Sequence, residues 1–162
     1  MKQRIYYFGT LFFIIITSLY GCKAKELSIS DKAKINDITQ AVESRRYTFE
    51  PTSATPASYK MINLQPGYYL KISPDTIKAY LPYYGRSYSA PMDPTKIGID
   101  FTSTNFDYNV DTKKDRWEIK IKPKDANSNY EMFLTVGNTG YTSLRVFDNN
   151  RQNISFYGSI SE

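Results

Sequence analysis

One thiol, fifteen phenols and no imidazole make up the reactive inventory of this 162-residue chain. Without histidine, no side chain titrates unperturbed near neutral pH and no imidazole is offered to a metal. Serine or cysteine triads and zinc hydrolase sites are excluded by that inventory. What remains for chemistry is the thiol of Cys22, scattered carboxylates, and the tyrosines crowded at Tyr80, Tyr83, Tyr84 and Tyr88. The GNTG segment at 137 to 140 lacks the lysine of a phosphate loop, and no cofactor or metal is implied.

Cys22 has the clearest chemical context. Lys2 and Arg4 precede an apolar run from Ile5 to Tyr20, no acid appears before Glu26, and Gly21 stands directly before the thiol. A charged start, an apolar middle and a small residue before the cut form a secretory signal. Gly9, Thr10, Thr17 and Ser18 interrupt the run, which falls short of the roughly 20 apolar residues that cross a bilayer. Leu19, Tyr20, Gly21 and Cys22 resemble the bacterial lipobox, although Tyr20 is bulkier than the usual occupant. There the sulfur takes a diacylglyceryl group before the bond after Gly21 is cut. An uncleaved anchor, or an ordinary signal with an idle thiol, would use the same residues. Cys22 is the only cysteine, so it has no intramolecular disulfide partner. Two or more acyl chains hold a protein on a membrane far more firmly than one.

The tyrosines around Pro82, Gly85 and Arg86 offer a second kind of chemistry. Flat rings at Tyr83, Tyr84 and Tyr88 could stack on sugars or peptide side chains, while Arg86 presents a planar fork to a carboxylate or phosphate. The same rings could instead plug one end of a sheet, because clustered aromatics commonly supply burial. From Lys113 to Lys124, Glu118, Lys120 and Lys122 alternate with Trp117, Ile119 and Ile121. That stripe suits either anionic head groups or the wet face of a strand. Asp107, Asn109, Asp111, Asp115 and Glu118 match the ligand spacing of a calcium loop. Thr112 replaces its glycine, however, Lys113 and Lys114 would repel a cation, and the flanks read as strands. No two acids form a pattern that singles out a catalytic pair, so the enzyme alternative is a carboxylate-dependent hydrolase of envelope glycans with no residue assigned.

The elements that must position these groups follow from periodicity. Residues 23 to 30 read as a tether of at most roughly 28 Å. Ile35, Ile38, Ala41 and Val42 recur at helical spacing between Asp31 and Arg46, with Ser30 or Asp31 placed as a cap. Beyond the helix the pattern turns to period two. Tyr47 and Phe49 begin it, a proline-rich gap spans 51 to 56, and Tyr59 to Leu64 resume it. Tyr68, Leu70, Ile72 and Ile77, Ala79, Leu81 read as a hairpin around Ser73, Pro74 and Asp75. The apolar face moves from odd positions (Ile97, Ile99, Phe101) to even ones (Phe106, Tyr108, Val110), so the strand must break between Thr102 and Asn105. Strands around Trp117, Met132, Leu144 and Phe156 follow, separated by turns near 113 to 115, 125 to 129, 137 to 140 and 148 to 150. The expected fold is α+β: one N-terminal helix packed on a strongly curved antiparallel sheet or partial barrel of about eight strands.

A cut before Cys22 leaves 141 residues, a size suited to one domain over 31 to 162. The net charge of +5 includes Lys2 and Arg4, which leaves +3 on the mature side chains and no case for nucleic acid.

The stretches AYLPYYGRSYSAP (79 to 91), NRQNISFYGSI (150 to 160), ESRRYTFEP (43 to 51) and DTKKDRWEIKIKPKD (111 to 125) resemble the Bacteroidetes lipoprotein family catalogued as domain-of-unknown-function family 4251. The resemblance implies a cell-envelope lipoprotein with an α+β domain and no assigned catalytic residue. Surface-displayed lipoproteins of that phylum often carry acids just after the lipidated cysteine, whereas Lys23, Ala24 and Lys25 stand here before a single Glu26. That departure implies an outer-membrane lipoprotein facing the periplasm. The expected partners are the membrane, through lipid on Cys22, and an envelope protein or glycan.

Overall fold

Period-two alternation in the sequence becomes alternating burial along nearly every strand. The computed structural model describes residues 29 to 57, 60 to 88, 98 to 126 and 129 to 161; the signal segment, Cys22 and most of the tether lie outside them. Helix α1 (Ile29–Ser44) is followed by β1 (Tyr47–Pro56), β2 (Ile62–Asn63), β3 (Tyr69–Ile72), β4 (Ile77–Leu81) and β5 (Ile99–Ser103). Then come β6 (Phe106–Thr112), β7 (Arg116–Pro123), β8 (Glu131–Gly137), β9 (Tyr141–Asp148) and β10 (Arg151–Ser161). No helix among the described residues is long and apolar enough to cross a membrane.

The helix starts at Ile29, two residues before the expected boundary, so Ser30 and Asp31 lie inside its first turn. An acid there complements the positive end of the helix dipole. Only the second half docks: Ala41 and Val42 are buried, Ile35 and Ile38 half-buried. Ile38 packs on Gly140 in the β8–β9 turn, which seats the helix at that end of the sheet. Arg45 ends the helix at a left-handed φ of 53°, where the amide of Arg46 donates to the Ala41 carbonyl (3.0 Å) and that of Arg45 to Val42 (3.2 Å). This is the two-bond closure that usually places glycine at such a position.

The described strands number ten, where the sequence suggested about eight. A separate departure lies at residues 51 to 56, expected as a loop, which continue β1 opposite β10. The register shifts between Pro51 and Ser53, so Pro51 borders a bulge whose unpaired residue is Thr52, while Pro56 stands opposite Ile154 as the last residue of the strand. Of the strand expected from Tyr59 to Leu64, only Ile62–Asn63 pairs with β1, and Tyr59 lies outside the described residues.

The sheet order is β5-β4-β3-β1-β10-β9-β8-β7-β6, with β2 beside β1, and every pairing is antiparallel. Curvature nearly closes it into a barrel. Strands β1 and β6 are five places apart, about 24 Å in a flat sheet, yet the hydroxyls of Tyr47 and Tyr108 meet at 2.8 Å. Phe101 of the β5 edge stacks on Tyr130 ahead of β8, centroids 5.2 Å apart. The interior holds Phe49, Leu70, Ile77, Ile121, Met132, Leu144 and Phe156, all fully buried. Each such side chain contributes about 1.5–3 kcal/mol relative to exposure.

The expected break between β5 and β6 falls at Thr104 and Asn105. Asp125 clamps it: one carboxylate oxygen accepts from the Ser103 hydroxyl, the other from the amides of Thr104 (3.0 Å) and Asn105 (3.2 Å). The Ser103 bond, followed by that from Thr104, holds the Asp125 pKa below its ordinary value.

Candidate functional site

Residues 83 to 88 extend the sheet where β1 runs out. Beyond Pro56 the start of β10 has no β1 partner, and the tyrosine loop takes that place. The amide of Tyr88 donates to the Asn150 carbonyl (2.8 Å), the amide of Gln152 to Arg86 (3.0 Å), and Ser87 bridges Arg151. Tyr83 acts inward. Its hydroxyl lies 3.0 Å from the carbonyl oxygens of both Arg86 and Gln152, and Arg151 covers its ring at 5.2 Å. Burial raises the Tyr83 pKa despite the opposing pull of the Gln152 bond. Tyr84, Arg86 and Tyr88 are exposed, Tyr88 at 70%. Both readings of the loop therefore have residues of their own: Tyr83 plugs, while the other three face solvent.

Tyr84 connects the loop to a larger feature. Its side chain shares a hydrogen bond with Tyr68, and burial, then Tyr68, pushes its pKa up. Tyr68 stacks on Tyr80 (5.7 Å between centroids, 28° between planes), and Tyr80 also meets Tyr69 at 6.1 Å. These rings stand on the outer face beside a cleft of about 710 Å³, whose lining includes Tyr68, Tyr69, Glu50, Thr52, Lys71 and Lys78. The cleft opens where β1, paired with β3 only over Tyr47 to Phe49, passes to β2 at Ser53 and Ala54. On its β3 side β1 is thus left without a paired strand at residues 50 and 51, before the Leu64 amide donates to the Thr52 carbonyl (2.9 Å). The cleft's volume lies in the range of about 300–1,000 Å³ occupied by ligand sites.

This cleft was not singled out from the sequence, although one signal for it is present. Lys71 and Lys78 stand at equal distances from the turn at residues 73 to 76, which pairs them across the hairpin.

The remaining motifs have ordinary roles in the sheet. In the basic stripe, Lys120 pairs with Glu131 and lies over the Phe133 ring at 5.2 Å. The calcium-like spacing falls on the β6–β7 hairpin, where Asp107 pairs with Lys124, Asp111 with Lys113, and Glu118 with Arg116. Among the described residues no three acidic or thiol groups gather to hold a metal.

Comparison with known proteins places this architecture. No curated protein matches the chain. A crystal structure of a DUF4251 family protein from Bacteroides eggerthii superposes with a TM-score of 0.61 at 13% identity, covering 81% of this chain and 89% of that one. At that identity the likeness speaks for the fold alone. The family model described as "Domain of unknown function (DUF4251)" matches residues 30–160, from the helix to the end of β10. The chain belongs to the DUF4251 family.

Proposed function

We propose that the protein is a lipid-anchored binding module of the cell envelope, held in the outer membrane by acyl chains on Cys22 and facing the periplasm. The observation that carries the binding reading is the outer cleft of about 710 Å³, where tyrosine rings lie together with Lys71, Lys78 and Glu50 on an exposed sheet face. Tyr84, Arg86 and Tyr88 extend the contact surface from the cleft along the loop. The anchor reading is supported by Lys2, Arg4, the apolar run and the Leu19 to Cys22 motif. Binding is favoured over glycan hydrolysis because hydrolysis requires two opposed carboxyl groups. Glu50 is the one acid among the residues lining the cleft.

Photo-crosslinkers placed singly at Tyr69, Tyr88 and, as a control, Lys122 test the surface in intact cells. Adducts at the first two positions and none at the third are expected; equal yields at all three would defeat the reading. For the anchor, Cys22→Ala should move the chain out of the membrane fraction and abolish its labelling by an alkyne fatty acid. Labelling that survives the substitution would rule out lipidation at Cys22.

A further inference from the structure

We infer that the cleft takes an anionic polysaccharide, its acid groups held between Lys71 and Lys78 and its sugar rings laid against Tyr69 and Tyr80; this rests on the binding reading above. The β3–β4 ladder sets Lys71 directly opposite Lys78. Like charges so placed repel and destabilise a sheet. In the second half of the molecule four cations are compensated, Lys113 by Asp111, Arg116 by Glu118, Lys120 by Glu131 and Lys124 by Asp107, while Lys114, Lys122 and Arg145 enter no ion pair among the described residues. Among the described residues Lys71 and Lys78 enter no such ion pair. Their outer neighbours across the sheet are hydroxyls, Thr48 beside Lys71 and Thr102 beside Lys78. Glu50 lines the same cleft, but its carboxylate lies 3.5 Å from the Ser161 hydroxyl, which donates to it. The cleft therefore carries two opposed positive charges that an acid group would bridge, forming charge-assisted hydrogen bonds and removing the repulsion.

The next outward row along the same strands identifies the rest of the ligand. Tyr69 stands opposite Tyr80, and the Tyr68 ring stacks on that of Tyr80, which stays 46% exposed. Flat faces with polar edges beside paired cations match a chain of sugar rings bearing acids. By register the lysines lie level with Thr48 and the rings level with Glu50, and Thr52 and Leu64 line the cleft beyond the rings, a span longer than a single small anion requires.

The full-length protein in detergent micelles is titrated against immobilised polygalacturonate and neutral dextran. Binding to polygalacturonate, weakening with added salt, and none to dextran is expected. Lys71→Gln with Lys78→Gln should weaken it about tenfold, the equivalent of one charge-assisted hydrogen bond. Tyr69→Ala should weaken it as well. Lys114→Gln with Lys122→Gln removes the same charge from the β6–β7 hairpin and should leave binding unchanged. Circular dichroism verifies that each variant is folded. No retention on polygalacturonate, equal retention on dextran, or equal losses in the two double variants would overturn the inference, as would capture of anionic phospholipid vesicles alone. Crosslinks from Tyr69 to a protein with no polysaccharide binding would leave the binding module standing and remove only its ligand class.

Discussion

The phenol of Tyr47 shows how one side chain can couple the helix end, the first strand and the edge of the sheet. It is buried, and burial, followed by the charge and hydrogen bond of Tyr108, raises its pKa well above the ordinary 10.0. Tyr108 is raised too, mainly by burial, while its bond to Tyr47 and the nearby Arg45 pull the other way. Arg45 sits 4.7 Å over the Tyr108 ring, so the left-handed residue that closes the helix is tied to the same pair. A phenol with a raised folded pKa binds its proton more tightly in the native state. The stabilisation is complete below the unfolded value of about 10 and is lost as pH rises through the folded one. Denaturant midpoints should thus hold up to about pH 10 and fall progressively above it. Tyr47→Phe should flatten that fall while costing about 1 kcal/mol at neutral pH for the lost hydrogen bond. An unchanged alkaline slope in the variant would remove Tyr47 from this account. None of this was legible in the sequence, where Tyr47 is simply the first residue of a strand; its partner lies 61 positions away.

Among the elements, helix and strands were legible wherever a local period set them. The face switch between Phe101 and Phe106 required a break, and a tight corner stands there. Residues 51 to 56 misled because proline is judged against a regular ladder, whereas β1 is irregular there. The bulge depends on Gly158: a Cβ at that position would lie 2.0 Å from the Glu50 carbonyl oxygen and 2.7 Å from the Pro51 Cα. Both are backbone atoms that no side-chain rotation can move aside. Gly158→Ala should therefore destabilise the protein by about 3 kcal/mol or more, among the larger single-residue effects. Thermal denaturation measures this, and a loss below about 0.5 kcal/mol, ordinary for a surface substitution, would show that β1 and β10 can separate locally. The cleft was missed for a related reason. It exists because β1 changes partners from β3 to β2, and partner choice between distant strands leaves no periodic mark.

At the scale of the whole molecule, the strand order has a simple hidden form. Read from β6 through β10, then β1, and on to β5, every neighbour in the sheet except the β10–β1 pair follows its neighbour in the chain, with β2 as a side branch. The fold is an up-and-down meander cut at one place and sealed at another. The first and last described strands, β1 and β10, lie in the middle of the sheet, while its two edges, β5 and β6, are joined by a corner of two residues. The central pairing of Thr48 with Ser161 consequently brings together residues more than a hundred positions apart. Such long-range closure slows folding relative to local pairing. A circular permutant that begins at Asn105, links Ser161 to Ile29 and ends at Thr104 would have only near neighbours to pair, with the helix as a crossover between β10 and β1. It should keep the native circular dichroism and refold faster than the parent in stopped-flow mixing, by about tenfold or more given how widely rates vary with contact order. Equal rates would mean that the β1–β10 pairing is not the slow step.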